Sequence, residues 1–121
     1  TVENHGGITR TADQVLKLIE AVGSEWFRIN MDTANFPAET RYIEIEKAAP
    51  FSVHVHAKIL ELGLEWFGLD NYWVEKKLDY KIVMEILRRA NYNGYVSLEY
   101  EGKEPEETAI PKAVEFLRMI V

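Results

Sequence analysis

FSVHVHAK, residues 51–58, is the stretch on which the fold turns. Phe51, Val53, Val55 and Ala57 alternate with Ser52, His54, His56 and Lys58. Side chains on a strand point to its two faces in turn, so this is a strand with one apolar and one polar face. Two other runs divide in the same way. Around the β-prone run from Trp26 to Met31, Arg28, Asn30 and Asp32 share one face and Phe27, Ile29 and Met31 the other. From Tyr95 to Tyr100, Val96, Leu98 and Tyr100 oppose Ser97, Glu99 and Glu101. Thr1 to Asn4 forms a shorter strand-like start, soon followed by Gly6-Gly7.

Helical patterns separate these strands. Thr11 and Gln14 make a capping-box pair ahead of Val15, Leu18, Ile19 and Val22, and Gly23 ends the element. Tyr42 to Ala49 reads as a second helix stopped by Pro50. Asp79 caps a third, carrying Ile82, Val83, Ile86 and Leu87 and ending near Asn91 to Gly94. The last bears Val114, Leu117 and Ile120 or Val121, with Pro111 tolerable only near its start or at a kink. Between Ile59 and Leu78 lies an aromatic segment with Trp66, Phe67, Tyr72 and Trp73, and glycines at Gly63 and Gly68. Its length marks it as a functional loop, since structureless connections longer than about 12 to 15 residues are usually lids or binding loops.

The order β-α-β-α-β-α-β-α predicts parallel strands with right-handed helical crossovers. Parallel strands bring their carboxyl ends to one rim, where α/β proteins bind ligands. Glu3, Asp32, His56 and Glu99 each fall at or near the downstream end of a strand, so a shared site is expected there. His54 shares the face of His56 and Glu101 that of Glu99, and Asp32 could equally cap the turn after its strand. An interior carboxylate such as Glu99 calls for a cation.

The chain has 121 residues, of which 47% are hydrophobic, enough for one domain with a core of its own. Its formal charge of −6 argues against a nucleic-acid backbone as partner and fits a small polar substrate. Without cysteine there is no disulfide framework, thiolate metal site or thiol catalysis. No run reaches the roughly 18 apolar residues of a membrane span and no signal peptide is evident, so a cytoplasmic location is expected. The start at Thr1, with glycines following almost at once, reads as an N-terminal truncation.

Four motifs together resemble the xylose isomerase-like TIM barrels, and among these the sugar phosphate isomerase/epimerase proteins. They are ENHGG (Glu3 to Gly7), INMDTANF (Ile29 to Phe36), HVHAK (His54 to Lys58) and GYVSLEYEG (Gly94 to Gly102). The resemblance covers essentially the whole chain and corresponds to the C-terminal half of that barrel, units five to eight. It implies a parallel (βα)4 half-barrel and a divalent metal held by Glu3, Asp32, His56 and Glu99, one after each strand. It thereby selects His56 over His54 and Glu99 over Glu101. Three carboxylates and an imidazole favour Mn²⁺ or Mg²⁺, with Co²⁺ or Zn²⁺ also compatible.

In related epimerases the two glutamates also exchange protons with the substrate, which makes Glu3 and Glu99 the candidate catalytic pair. The implied reaction is isomerisation or epimerisation of a sugar or sugar phosphate through an enediolate, whose negative oxygen a dication stabilises. Lys58, His5, Asn35 and Trp66 are candidates for substrate contact; Lys58 could instead snorkel to solvent, and the aromatic segment could pack on its own barrel. Two departures stand out. The AP endonuclease relatives place a histidine where Asn35 stands, which argues against a three-zinc nuclease. The acid that often follows the lysine is replaced by Ile59. A half-barrel leaves strand edges and a polar lumen uncovered, so association with an N-terminal half or with a second copy is expected, and the alternative function is a catalytically inert metal-binding or structural fragment.

Overall fold

The structure is a computed structural model. It describes residues 1–67 and 69–121, with Phe67 described by its backbone alone. Gly68 and the Phe67 side chain, both within the segment read as a functional loop, lie outside the described residues.

Strand β1 (Val2–Glu3) leads through a short 3-10 turn to helix α1 (Ala12–Val22), then β2 (Ile29–Asp32) and α2 (Arg41–Ala48). Next come β3 (Ser52–Ile59), two further strands β4 (Leu62–Phe67) and β5 (Asp70–Glu75), α3 (Tyr80–Arg89), β6 (Tyr95–Tyr100) and α4 (Glu106–Ile120). The main sheet has the order β1-β2-β3-β6 and every pairing in it is parallel. This is a mixed α/β fold with four parallel strands and four helices, as a half-barrel requires.

Local chemistry sets the helix limits. The Thr11 side chain accepts from Gln14 N while the Gln14 side chain accepts from Thr11 N, closing the capping box expected from the sequence. Gly23 ends α1 in the left-handed region, at φ 64°. Asp79 takes the N–H groups of Lys81 and Ile82 at the start of α3. Pro111 sits inside α4 rather than at its start, in the second turn.

The parity of the strands decides where the core lies. Ile29, Met31, Val55, Ala57 and Ile59 are all fully buried. They pack with Val15, Ile45, Val83, Ala113 and Phe116 of the four helices in one hydrophobic cluster. Early in β3 the pattern weakens: Phe51 falls in a 3-10 turn before the strand and Val53 is half-exposed.

The reading of residues 59–78 as one long loop is corrected by the structure. Leu62–Phe67 and Asp70–Glu75 pair antiparallel as a hairpin inserted between β3 and α3. Aromatic residues such as Trp66, Tyr72 and Trp73, which suit a binding loop, suit a pleated strand equally well. At the base of the hairpin the buried Glu75 carboxylate accepts from the N–H groups of Leu60, Glu61 and Lys77. Trp73 on β5 packs toward α4, with Lys112 Nζ 4.5 Å from its ring centroid. Among the described residues no helix is long and apolar enough to cross a membrane.

The capping box supplies a measurable increment of stability. Thr11→Ala is expected to lower the unfolding free energy by roughly 1 kcal/mol. In urea titrations the midpoint should fall with an unchanged slope.

Candidate metal centre

Each of the four parallel strands delivers one group to the same rim. Glu3 ends β1, Asp32 ends β2, and His56 and Glu99 lie near the ends of β3 and β6. Register aligns them: Glu3 is opposite Asn30, Asp32 opposite His56, and His56 opposite Ser97, two residues before Glu99. One potential ligand atom from each of the four lies within 4.8 Å of all the others.

Three of these groups have buried atoms without a hydrogen bond, although Lys58 Nζ stands 3.3 Å from one of them, Asp32 Oδ2. Asp32 Oδ2, His56 Nδ1 and Glu99 Oε2 are buried without a hydrogen-bond partner. His56 Nδ1 is 2.7 Å from Glu99 Oε2 and 4.0 Å from Glu3 Oε1, yet neither contact has hydrogen-bond geometry. Buried polar atoms are normally paired, and leaving one unmatched costs about 1–3 kcal/mol. Groups that approach without facing one another are arranged to face a common centre. Neighbouring ligands at about 2.1 Å from a six-coordinate ion stand about 3 Å apart and opposite ones about 4 Å, and the His56–Glu99 and His56–Glu3 separations of 2.7 and 4.0 Å lie near those values. The donor set therefore fits a divalent cation.

The surroundings orient each ligand. Asp32 Oδ1 accepts from Ala34 N at 2.8 Å and Asn35 N at 3.0 Å, which leaves Oδ2 for the centre. Asn35 Nδ2 donates to Glu3 Oε1 at 3.1 Å. On His56 the far nitrogen, Nε2, is 3.1 Å from Asn30 Nδ2. With the Asn30 amide so turned, the ring proton sits on Nδ1; coordination through Nδ1 requires the proton on Nε2 and the amide oxygen facing it. The unpartnered Asn30 Oδ1 is available for that turn.

Lys58 supplies the positive charge already present. It is only 1% exposed, with Nζ 2.8 Å from Glu101 Oε1, 2.9 Å from Glu99 Oε1 and 3.3 Å from Asp32 Oδ2. Burial works against its charge, but the hydrogen bonds to Glu101 and Glu99 and the charge of Asp32 outweigh it, so the ammonium is held above its usual range. Burial also opposes ionisation of Glu99, yet the Lys58 hydrogen bond prevails and keeps that carboxyl below the usual range. Asp32 goes the other way: burial, helped by the Glu99 carboxylate, pushes it up to about 6 against the pull of Ala34 N–H and Lys58.

The structure thus brings Glu3, Asp32, His56 and Glu99 together and places Asn35 and Lys58 on their carboxylates. Lys58 is sunk among acids and does not snorkel to solvent. His5 is exposed just after β1, with only its backbone N–H bonded, to Thr9 Oγ1. Trp66 is 68% exposed on the hairpin, opposite Asn71. His54 lies deeper along β3, opposite Asn30 and bonded to Ser97 Oγ at 2.8 Å.

Asn4 and Asn30 were not singled out from sequence. Asn4 is fully buried, and its amide accepts from Asp32 N at 2.8 Å and donates to Asp32 O at 2.9 Å, so one side chain pins the end of β2 to the end of β1. An asparagine directly after a strand ending in a candidate ligand was the available signal.

The raised Asp32 pKa fixes the sign of two pH effects. A divalent cation held by Asp32 would have to displace its proton, so the affinity for such an ion, with Mn²⁺ as the calorimetric probe, is expected to fall below about pH 6 and to rise between pH 5 and 7. In the metal-free protein, the stability contributed by protonated Asp32 is fully present below its ordinary value of 3.8 and is lost as pH rises through about 6. Asp32→Asn should flatten that part of the stability profile.

Comparison with curated proteins finds no match to this chain. A family model described as xylose isomerase-like TIM barrel matches residues 1–120, and that family includes sugar isomerases and epimerases. With nearly every residue covered and the parallel half-barrel and rim cluster in place, the chain belongs to the xylose isomerase-like TIM barrel family.

Proposed function

We propose that the protein is a divalent-metal-dependent isomerase or epimerase of a sugar or sugar phosphate, with Glu3, Asp32, His56 and Glu99 as the metal ligands. The observation that carries this reading is the convergence of three buried ligand atoms that lack a hydrogen bond, with Glu3 beside them, at the strand ends. The mostly oxygen donor set favours Mn²⁺ or Mg²⁺, with Co²⁺ or Zn²⁺ also compatible. When bound, such an ion supplies a Lewis acid for the negative charge that develops on a substrate oxygen.

The protein's own residues supply the proton transfer. Strand order puts β1 and β6 at the outer positions, so Glu3 and Glu99 flank Asp32 and His56 from opposite sides. One carboxylate removes the proton beside the substrate carbonyl. Returning it to the neighbouring carbon interconverts aldose and ketose, whereas the opposite carboxylate delivering a proton to the same carbon inverts its configuration. Lys58 keeps Glu99 ionised and Asn35 fixes Glu3, so both act through the carboxylates they hold. His5 and Trp66, both exposed, are the candidates for direct substrate contact.

A cavity of about 630 Å³ has Glu101, Tyr100, Arg41 and Lys103 among its lining and touches the cluster only through Glu101, the Lys58 partner, since none of the four ligands lines it. A second cavity, of about 670 Å³, lies between the hairpin, α3 and α4 and includes none of the four ligands. A cytoplasmic location belongs to the same proposal.

The sheet itself favours a dependence on further strands. β1 and β6 each have a single neighbour among the described residues, and eight strands are needed to close a barrel of this type. We infer that a second four-strand unit, from a longer chain or a second copy, completes the lumen, and that this chain alone is otherwise a catalytically inert metal-binding half.

Calorimetry with Mn²⁺ tests the site: Asp32→Ala and His56→Ala should each weaken binding by more than about 100-fold, the upper end of what loss of a supporting residue does. Unchanged affinity in both would remove the metal assignment. For turnover, solvent deuterium should appear at a sugar carbon across a panel of aldoses, ketoses and their phosphates, and Glu3→Gln or Glu99→Gln should slow it by about 100-fold or more. No incorporation with the assembled barrel would leave only the inert reading. Sedimentation equilibrium addresses assembly: self-pairing predicts a concentration-dependent dimer, and a monomer at high concentration rules it out.

A further inference from the structure

Strand β2 stops at Asp32, opposite His56, whereas β3 continues to Ile59. Ile59 turns its carbonyl to the β6 side, accepting from Glu101 N at 3.0 Å. By alternation, the N–H and C=O of Lys58 face the side where β2 has already ended. Two hydroxyls take the place of the missing strand. Lys58 N donates to Thr33 Oγ1 at 3.0 Å, and Thr33 Oγ1 is 2.9 Å from Tyr80 Oη. Tyr80 Oη donates to Lys58 O at 2.8 Å.

Proton counting fixes one step of this set and favours a direction for the other. Each hydroxyl carries one proton, and that of Tyr80 goes to Lys58 O. The Thr33 proton can serve Tyr80 Oη or His56 O, 3.0 Å away, but His56 O already accepts from Thr33 N at 3.1 Å. Donation to Tyr80 satisfies more groups, because His56 O keeps its bond from Thr33 N whereas Tyr80 Oη would otherwise accept nothing from this set. The result is a closed ring that leaves Lys58 at its N–H, passes through Thr33 and Tyr80, and returns at its C=O. Thr33, Tyr80 and Lys58 are at most 2% exposed, and in so dry a place hydrogen bonds in series reinforce one another.

The ring holds the backbone from which the Lys58 side chain extends to Asp32, Glu99 and Glu101. Tyr80 is well placed to anchor it. It is the first residue of α3, directly after the Asp79 cap, and its ring meets Phe116 of α4 edge-on at 5.6 Å between centroids. We propose that Thr33 and Tyr80 are positioning residues of the metal centre: their hydroxyl ring sets Lys58 and, through it, the carboxylates of Asp32 and Glu99. The proposal rests on the metal-centre reading above, although the ring can be tested without a metal.

Tyr80→Phe, Thr33→Val and Thr33→Ser separate the hydroxyls from the shapes that carry them. Two quantities are read: Mn²⁺ affinity by calorimetry, and hydrogen exchange of the Lys58 amide in metal-free protein by NMR, relative to the Ala57 and Ile59 amides that face β6. Tyr80→Phe and Thr33→Val should weaken Mn²⁺ binding about tenfold and speed relative Lys58 exchange at least about tenfold. Thr33→Ser, which keeps the hydroxyl, should stay within about twofold of the wild type on both. Thr11→Ala lowers stability far from the site and should change neither. The proposal is overturned if Tyr80→Phe and Thr33→Val behave as wild type, or if Thr11→Ala weakens Mn²⁺ binding as much as they do. If the wild type binds no Mn²⁺, the metal-centre reading fails by itself, and Lys58 exchange in Tyr80→Phe alone decides the ring.

Discussion

A buried lysine among carboxylates is the constraint around which this half-barrel is arranged. A charge withdrawn from water is tolerated only with partners at hydrogen-bond distance, and Lys58 finds them on both neighbouring strands: Asp32 on β2, Glu99 on β6 and Glu101 just beyond it. Strand β3 must therefore lie between β2 and β6, as it does. The acids still outnumber the lysine. Asp32, Glu99 and Glu101 surround one ammonium, and burial, aided by the Glu99 carboxylate, pushes the Asp32 carboxyl up to about 6.

Fine placement comes from the loops that follow the strands. Asn4 after β1 ties itself to the backbone of Asp32, Asn35 after β2 holds Glu3, and Thr33 reaches across to β3. These cross-strand bonds continue the sheet past the point where its strands end. The hairpin between β3 and α3 has a different construction. The backbone hydrogen bonds to Glu75 lock its base, Trp73 seats it near α4, and Leu64 and Trp66 stay exposed.

The sequence was most informative where a pattern is local. Alternation in the β2, β3 and β6 runs gave the two faces of the sheet, and Thr11, Gln14, Gly23 and Asp79 marked helix ends that the structure reproduces. It misled where one composition serves two purposes. Trp66, Tyr72, Trp73 and Val74 suit a sugar-binding loop and a hairpin strand alike, and the pairing that separates the two joins residues on either side of a turn. Lys58 near a strand end is compatible by sequence with substrate contact or with a reach to solvent; only carboxylates 26, 41 and 43 positions away in the chain show that it is buried.

By itself, then, the sequence determined the α/β alternation, the polar and apolar faces of each strand, and the chemical types offered at each strand end, because these depend on periodicity and capping within a few residues. Resemblance to known barrels pointed to His56 and Glu99 among the neighbours sharing their faces. Only the tertiary structure decided which atoms meet. Register sets His56 beside Asp32 and leaves His54 deeper, on Ser97; strand order brings Glu3 and Glu99 to opposite flanks; and the early end of β2 hands the Lys58 backbone to Thr33 and Tyr80. Those distances depend on how separate strands align, which short-range pattern does not encode.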